Sequence, residues 1–482
     1  MSVKEQLKKH FSLNEFRGRQ LEAINAVVSG RNAMIIWPTG AGKSLVYQLS
    51  SLMLPDLTLV VSPLIALMQD QVDQARQNHL PFTFINSSLS REDREKRLQE
   101  LRGGKWKAVY VTPERFRQNA FWEAIGGRKI SLLAVDEAHC ISQWGNDFRP
   151  EYSRLGEIRK KLGNPTTVAL TATATEAVQK DILKSLDIKD AEVFWDGVER
   201  ENLFLAIHPV DDDEAKIEWL TDYLKSQAGP KLVYFSLIKR LHETLERVQA
   251  KGVQAGYYHG EVPDRERKKI QRQFQAGEVD LLFATPSFGL GVDKKDVRHL
   301  IHYEVPGSIE SYFQEVGRAG RDGQKSFCHM LYLSEDLETQ MRFIEWAVPD
   351  PTFVKAVYQL LVNWKGRLAS IHIDDLRAQL SFKNKSDYRL ETALALLDRW
   401  EVIEWPRRDI RQIQILSEPS EEWLKSDLWS ARKKSLQMKL HQLVQYVQSE
   451  ECRKVQIYKY FGWHNEERCH FCDNCKILDG AT

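Results

Sequence analysis

Ala33-Met34-Ile35-Ile36-Trp37-Pro38-Thr39-Gly40-Ala41-Gly42-Lys43-Ser44 joins an apolar run to a glycine-rich loop, and an apolar-periodic helical run over 45–52 follows. Strand, loop and helix in that order are the setting a phosphate loop needs. Gly40 and Gly42 let main-chain N–H groups approach phosphate oxygens, Lys43 reaches the β and γ phosphates, and Ser44 can ligate Mg2+. Thr39 belongs to the same loop, while Trp37 stands where the usual pattern has its first glycine.

Working outward, five more buried-strand runs accompany 33–37, at 58–62, 82–86, 108–112, 132–136 and 168–171. Helix-length stretches separate them, which predicts an α/β lobe over 1–205 built on a parallel sheet. Functional residues then collect at the carboxyl ends of the strands. A second set at 232–235, 254–258, 280–284, 299–303 and 328–333 predicts a second lobe of the same class over 206–345, with Asp211-Asp212-Asp213-Glu214 near the join. From 346 the pattern changes. Helical periodicity at 353–362, 374–380 and 388–399 precedes strand-like runs 402–405 and 410–416 around a turn, which predicts a winged-helix-like domain over 346–420. Helices at about 426–450 and 452–461 then lead into a cysteine cluster, giving a small helical metal-binding module over 421–482.

Three further groups complete the candidate chemistry. Asp136 and Glu137 end a buried strand, where one acid can hold Mg2+ and its neighbour can polarise the attacking water. Arg318 and Arg321, in Gln314-Glu315-Val316-Gly317-Arg318-Ala319-Gly320-Arg321, share a face if that segment is helical, and their guanidinium groups can stabilise charge on a transferring phosphoryl. Upstream, the Gln20 amide can pair with both edges of adenine and Arg17 can stack on its face. A site assembled from two lobes in this way can couple ATP hydrolysis to motion between them. Trp144, Phe148 and Arg149, just past the acidic pair, suit sequence-tolerant base stacking, worth ~1–3 kcal/mol per base; packing between the lobes is the other reading for the two aromatics.

Cys140 and Cys328 are isolated, whereas Cys452, Cys469, Cys472 and Cys475 crowd together near the end of the sequence. Four thiolates at such spacings suit a closed tetrahedral Zn2+ site in a reducing compartment, with an iron–sulfur cluster as the rival and His470 as a substitute ligand. With 42% apolar and 28% charged residues the chain reads as an ordinary globular protein. Net charge is +1, so a nucleic-acid partner rests on local patches at 265–269, 407–411 and 432–434 rather than on bulk charge. The charged first ten residues lack the apolar core of a signal peptide, and no apolar stretch approaches the ~18 residues that span a bilayer. A cytoplasmic protein, with no membrane partner, is expected.

These motifs together resemble the RecQ family of DNA helicases, within helicase superfamily two. The resemblance rests on Phe16-Arg17 and Gln20, the phosphate loop, the 61–71 segment, Thr112-Pro113-Glu114-Arg115, Asp136-Glu137-Ala138-His139, the 169–175 segment, the 284–294 segment and the arginine block. Most diagnostic is Cys140-Ile141-Ser142-Gln143-Trp144-Gly145-Asn146-Asp147-Phe148-Arg149-Pro150, which looks like the family's aromatic-rich loop. The resemblance implies two RecA-like lobes and an ATP-dependent, 3′→5′ DNA-unwinding motor. Such a motor moves on single-stranded DNA in recombination, repair or replication. The implied cofactors are ATP, Mg2+ and Zn2+, with Gln20 on adenine, Lys43 on phosphate, Asp136 on Mg2+, Glu137 on water, and Arg318 and Arg321 on phosphate from the second lobe. Single-stranded and duplex DNA are the implied partners, with single-strand-binding or repair proteins beside them; a monomer at the bacterial nucleoid is expected. Asn146 replaces the family's usual histidine, and Ser287 and Leu290 replace alanine and methionine. The expected winged helix precedes the cysteines instead of following them, and too few residues follow Cys475 for a further accessory domain. Two other classes stay open: a DNA-binding or annealing scaffold without turnover, against which Lys43, Glu137, Arg318 and Arg321 speak, and an RNA helicase, since an Asp-Glu-Ala-His box serves both nucleic acids.

Overall fold

The computed structural model describes residues 2–478 except 39, 87, 143–149, 196, 198, 290–293, 381–386, 401, 406–408 and 422–423. Two parallel sheets carry the architecture. The first contains β1 (Ala33–Ile36), β2 (Leu57–Val61), β3 (Phe82–Ile85), β4 (Ala108–Val111), β5 (Ile130–Val135), β6 (Thr166–Thr171) and β7 (Glu192–Trp195), in the order β3-β4-β2-β5-β6-β1-β7. The second contains β8 (Leu203–Pro209), β9 (Lys231–Tyr234), β10 (Gly256–Tyr258), β11 (Leu281–Ala284), β12 (His299–His302) and β13 (Ser326–Tyr332), in the order β10-β11-β9-β12-β13-β8.

The unbroken apolar runs have a direct cause. Along β1, Met34 and Ile36 enter one core while Ala33 and Ile35 enter the other, so both faces of the sheet are covered. A parallel sheet flanked by helices requires that pattern. Two strands, β7 and β8, lie outside the sequence expectation. Both are edge strands; β7 is only four residues long and leaves Val193 39% exposed, so it lacks the buried signature of its neighbours.

The chain divides into two compact units, Met1–Leu333 with Tyr446–Thr482, and Ser334–Gln445. The cysteine module therefore belongs with the two sheets. In the second unit, helix Pro351–Asn363 and helix Arg389–Arg399 share a core through Val354, Val357, Leu361, Leu390, Leu394 and Leu397. Helix Ile373–Gln379 lies between them in sequence. Strands β14 (Ile403–Glu404) and β15 (Gln414–Ile415) pair antiparallel, Ile403 opposite Ile415. Helix Asp336–Ala347 precedes these three in the same unit, so among the described residues four α-helices come before the ladder.

Candidate nucleotide site and metal centre

The loop after β1 enters helix Lys43–Met53 through Gly42, the helix N-cap, with φ +79°. Gly40 has φ +88°. Both conformations suit glycine and lead the loop into a helix start, where an anion is favoured. Lys43 Nζ donates to the carbonyls of Trp37 at 2.9 Å and Pro38 at 3.4 Å, which arches the loop over its own side chain. Burial pushes the Lys43 ammonium pKa down, Glu137 and Asp136 push it up, and Arg321 lowers it again. Ser44 stands in the first turn of the same helix. Thr39 lies outside the described residues.

Gln20 opens helix Gln20–Val28 and is buried. Its Nε2 donates to the carbonyls of Ala41 at 3.0 Å and Gly42 at 3.3 Å, and its Oε1 accepts from the Arg17 amide at 2.9 Å. The amide expected to read adenine is thus also a brace of the phosphate loop. A Cβ at Gly42 would stand 2.5 Å from Gln20 Nε2, so a side chain there displaces the brace, while the φ itself favours glycine.

Asp136 and Glu137 follow β5, with Glu137 at φ +48° in the left-handed region. Asp136 is 8% exposed; burial and then the Glu137 carboxylate push its pKa up to about 7, against the pull of Lys43 and of the Glu137 amide at 3.0 Å. His139 Nδ1 lies 3.0 Å from Thr171 Oγ1 and 3.3 Å from Glu137 Oε2. The Thr171 hydroxyl donates its one proton to the Thr173 carbonyl at 2.9 Å. Its oxygen can then only accept, which assigns the proton to His139 Nδ1 and directs it at Thr171. Sequence reading named neither His139 nor Thr171 in this role; the signal available was a histidine three residues past one strand and a threonine ending the next.

The arginine block departs from the helical expectation. Helix Ile309–Val316 stops at Gly317, and Arg318 and Arg321 lie in the turns beyond it. Gly320, at φ +54°, redirects the chain between them. Arg321 reaches the first sheet's loop: a Cβ at Gly40 would stand 3.5 Å from Arg321 Cδ. The Arg318 guanidinium, with that of Arg321, bears on Tyr234 at the end of β9. Phosphate loop, acidic pair and second-lobe arginine thus converge. Asp322, next in sequence, is bonded to Arg298 at 2.5 Å. Trp144, Phe148 and Arg149, with Asn146, lie outside the described residues, as does Leu290.

The Sγ atoms of Cys452, Cys469, Cys472 and Cys475 lie within 4.8 Å of one another. Tetrahedral thiolates ~2.3 Å from one ion stand ~3.8 Å apart, and Cys469 Sγ lies 3.9 Å from Cys475 Sγ. The quartet is too tight to wrap a multi-iron core and fits one zinc. Main-chain N–H groups of Cys469, Phe471 and Cys475 each approach a cysteine sulfur at 3.4 Å, which favours thiolates. Hydrogen bonds from the Cys469 and Cys472 thiols pull Cys452 well below the usual thiol range. His470 is exposed and outside the quartet. Zinc here would cross-link a short tail that has little core of its own.

The module is locked to the second sheet. Cys472 pairs in parallel with Leu205 of β8, and the Ile207 amide donates to Asp473 at 2.9 Å. Asp473 also holds the buried Arg453, which donates to the Tyr446 carbonyl at 2.7 Å.

Residues 17–182 match the family model described as DEAD/DEAH box helicase, 215–323 that of the helicase conserved C-terminal domain, and 407–476 that of RecQ zinc-binding. The ATP-dependent DNA helicase RecQ of Haemophilus influenzae is 33% identical over 482 residues, covering 99% of this chain. The probable ATP-dependent DNA helicase RecS of Bacillus subtilis is 37% identical over 345 residues, covering 71% of this chain and 69% of that protein. The chain belongs to the RecQ helicase family. This RecQ-family chain spans 64% of the length of the Haemophilus relative. Among solved structures, yeast Dbp5 bound to RNA and ADP BeF3 matches with TM-score 0.57 at 16% identity, over 71% of this chain and 90% of that one. Mycobacterium smegmatis Lhr bound to single-stranded DNA and AMP-PNP matches with TM-score 0.56 at 18% identity, over 90% and 62%. At those identities the likeness is one of fold. Among the described residues no helix is long and apolar enough to cross a membrane.

Proposed function

We propose that this chain is an ATP-dependent DNA helicase that steps 3′→5′ along single-stranded DNA and opens duplex ahead of it. The observation that carries the reading is Arg321 lying against Gly40, since it ties the second sheet to the phosphate loop of the first. In this reading Gln20 and Arg17 hold the adenine. Thr39, Gly40, Gly42 and Lys43 cradle the phosphates, Ser44 and Asp136 hold Mg2+, and Glu137 orients the attacking water. Mg2+ held there would supply neutralisation of the charge on the phosphates. Arg318 and Arg321 stabilise charge on the transferring phosphoryl, and loss of such a group costs ~10³-fold or more in rate. Trp144, Phe148 and Arg149 stack and hold the strand, and their place beside Glu137 in sequence links strand occupancy to hydrolysis. Recombination, repair or replication in the bacterial cytoplasm is the setting this activity serves, with single-strand-binding or repair proteins as partners.

Steady-state ATPase with and without single-stranded DNA, together with unwinding of 3′- and 5′-tailed duplexes, tests this. DNA stimulates turnover, RNA does not, only the 3′-tailed duplex opens, and Lys43→Ala abolishes both activities. Trp144→Ala lowers unwinding more than nucleotide binding. Wild-type turnover in Lys43→Ala, or preferential opening of the 5′-tailed duplex, overturns it.

A further inference from the structure

The turn that carries Arg318 and Arg321 leaves its helix early, and carbonyls that a continuing helix would have satisfied need other donors. Two side chains from the segment joining the sheets supply them. Arg200 Nη1 donates to the Gly317 carbonyl at 3.1 Å, and Arg200 Nη2 to those of Ala319 at 2.6 Å and Gly320 at 3.2 Å. Asn202 Nδ2 donates to Gly320 at 2.8 Å and Gln324 at 2.9 Å. Asn202 also sits where a side chain at Gly320 would go: a Cβ there would stand 2.5 Å from its Nδ2. One planar guanidinium thus spans three carbonyls of a four-residue turn, a task its fixed fork suits and a point-charge ammonium does not.

The same segment is fastened on its other side. The Glu199 carboxylate accepts from Trp463 Nε1 at 3.2 Å and Asn465 Nδ2 at 2.6 Å, and Lys454 Nζ donates to the Glu201 carbonyl at 2.9 Å. The Glu199 side chain and the Glu201 carbonyl serve the cysteine module, while the Arg200 and Asn202 side chains serve the arginine turn.

We propose that Arg200 is a positioning residue for hydrolysis, holding the Gly317–Gly320 main chain so that Arg318 and Arg321 meet the nucleotide at a fixed geometry, with Asn202 as its second clamp. This rests on the reading of Arg318 and Arg321 as phosphate contacts. A misplacement of ~1 Å in such a group costs on the order of 10²-fold in rate. Nucleotide affinity, set mainly by the loop after β1, stays in place.

The experiment uses the full chain bound to single-stranded DNA. It measures single-turnover hydrolysis of radiolabelled ATP, which resolves slow residual rates, and binding of a fluorescent ATP analogue. Arg200→Ala lowers the hydrolysis rate constant roughly 10- to 100-fold with analogue affinity within about threefold. Arg200→Lys, which keeps the charge without the fork, falls between and serves if the alanine variant is insoluble. In an Arg318→Ala/Arg321→Ala background, Arg200→Ala produces little further loss, because it acts through the groups already removed. An undiminished loss in that background, equal losses of rate and affinity, or an unchanged rate in Arg200→Ala overturns the proposal. Wild-type hydrolysis in Arg321→Ala alone instead overturns the arginine reading itself.

Discussion

Replacing Asp136 with asparagine stabilises the protein while removing the proposed Mg2+ ligand. Burial and the adjacent Glu137 carboxylate push the Asp136 pKa from 3.8 to about 7. Between those values the folded chain keeps a proton that the unfolded chain has released, so raising pH through that window favours unfolding. At ~1.36 kcal/mol per pH unit over about three units, the ceiling is roughly 4 kcal/mol, fully expressed above pH 7. Relaxation and water penetration at a buried site reduce this, to on the order of 2 kcal/mol. Asparagine keeps the shape and has nothing to ionise. For a lobe of this size, about 2 kcal/mol corresponds to a melting-temperature gain of roughly 4–8 °C. Thermal melts of wild type and Asp136→Asn across pH 5–9, without added Mg2+ or nucleotide, read it directly. The gain is full at pH 8–9 and shrinks as pH falls toward the unfolded-state value. Parallel melting curves, offset equally at every pH, refute an Asp136 held half-protonated near neutrality.

Two further perturbations follow from the same geometry. Gly42→Ala drives a methyl group to 2.5 Å from Gln20 Nε2 at φ +79°, breaking the brace from Gln20 to the loop; at ~1–1.5 kcal/mol for the lost hydrogen bonding, KM for ATP rises roughly tenfold while the fold survives, as titration of ATPase rate against ATP would show. Cys472→Ser removes one thiolate from the quartet and loosens the pairing with Leu205; zinc content by atomic absorption falls well below one per chain and the melting temperature drops, whereas full zinc with unchanged melting refutes the four-thiolate centre.

Much of this was legible because parallel sheets write themselves plainly. Strands such as β1 and β5 are apolar on both faces, and the chemistry sits at the carboxyl end of each. The four cysteines were equally plain, since thiolates at close spacing have few other uses. Three features escaped: β7, an edge strand with Val193 exposed; β8, an edge strand although its run 203–207 is apolar and buried; and the end of helix Ile309–Val316, which two glycines terminate inside a segment of good helical pattern. The roles of Gln20, His139 and Arg200 were hidden for another reason. Each depends on a hydrogen bond to residues far along the chain, which periodicity does not encode; Arg200 and the Gly317 carbonyl are 117 positions apart.

Strand β8 ends the second sheet, and its outer row of amides and carbonyls would be open to any passing strand. The opposite border is β10, three residues long and so a poor template. Leu205 meets Cys472 and the Ile207 amide meets Asp473, so the metal-bound tail doubles as a seal on the longer border. Metal starvation should therefore show itself as clumping between molecules, with β8 as the nucleating seam, before any loss of the sheets themselves.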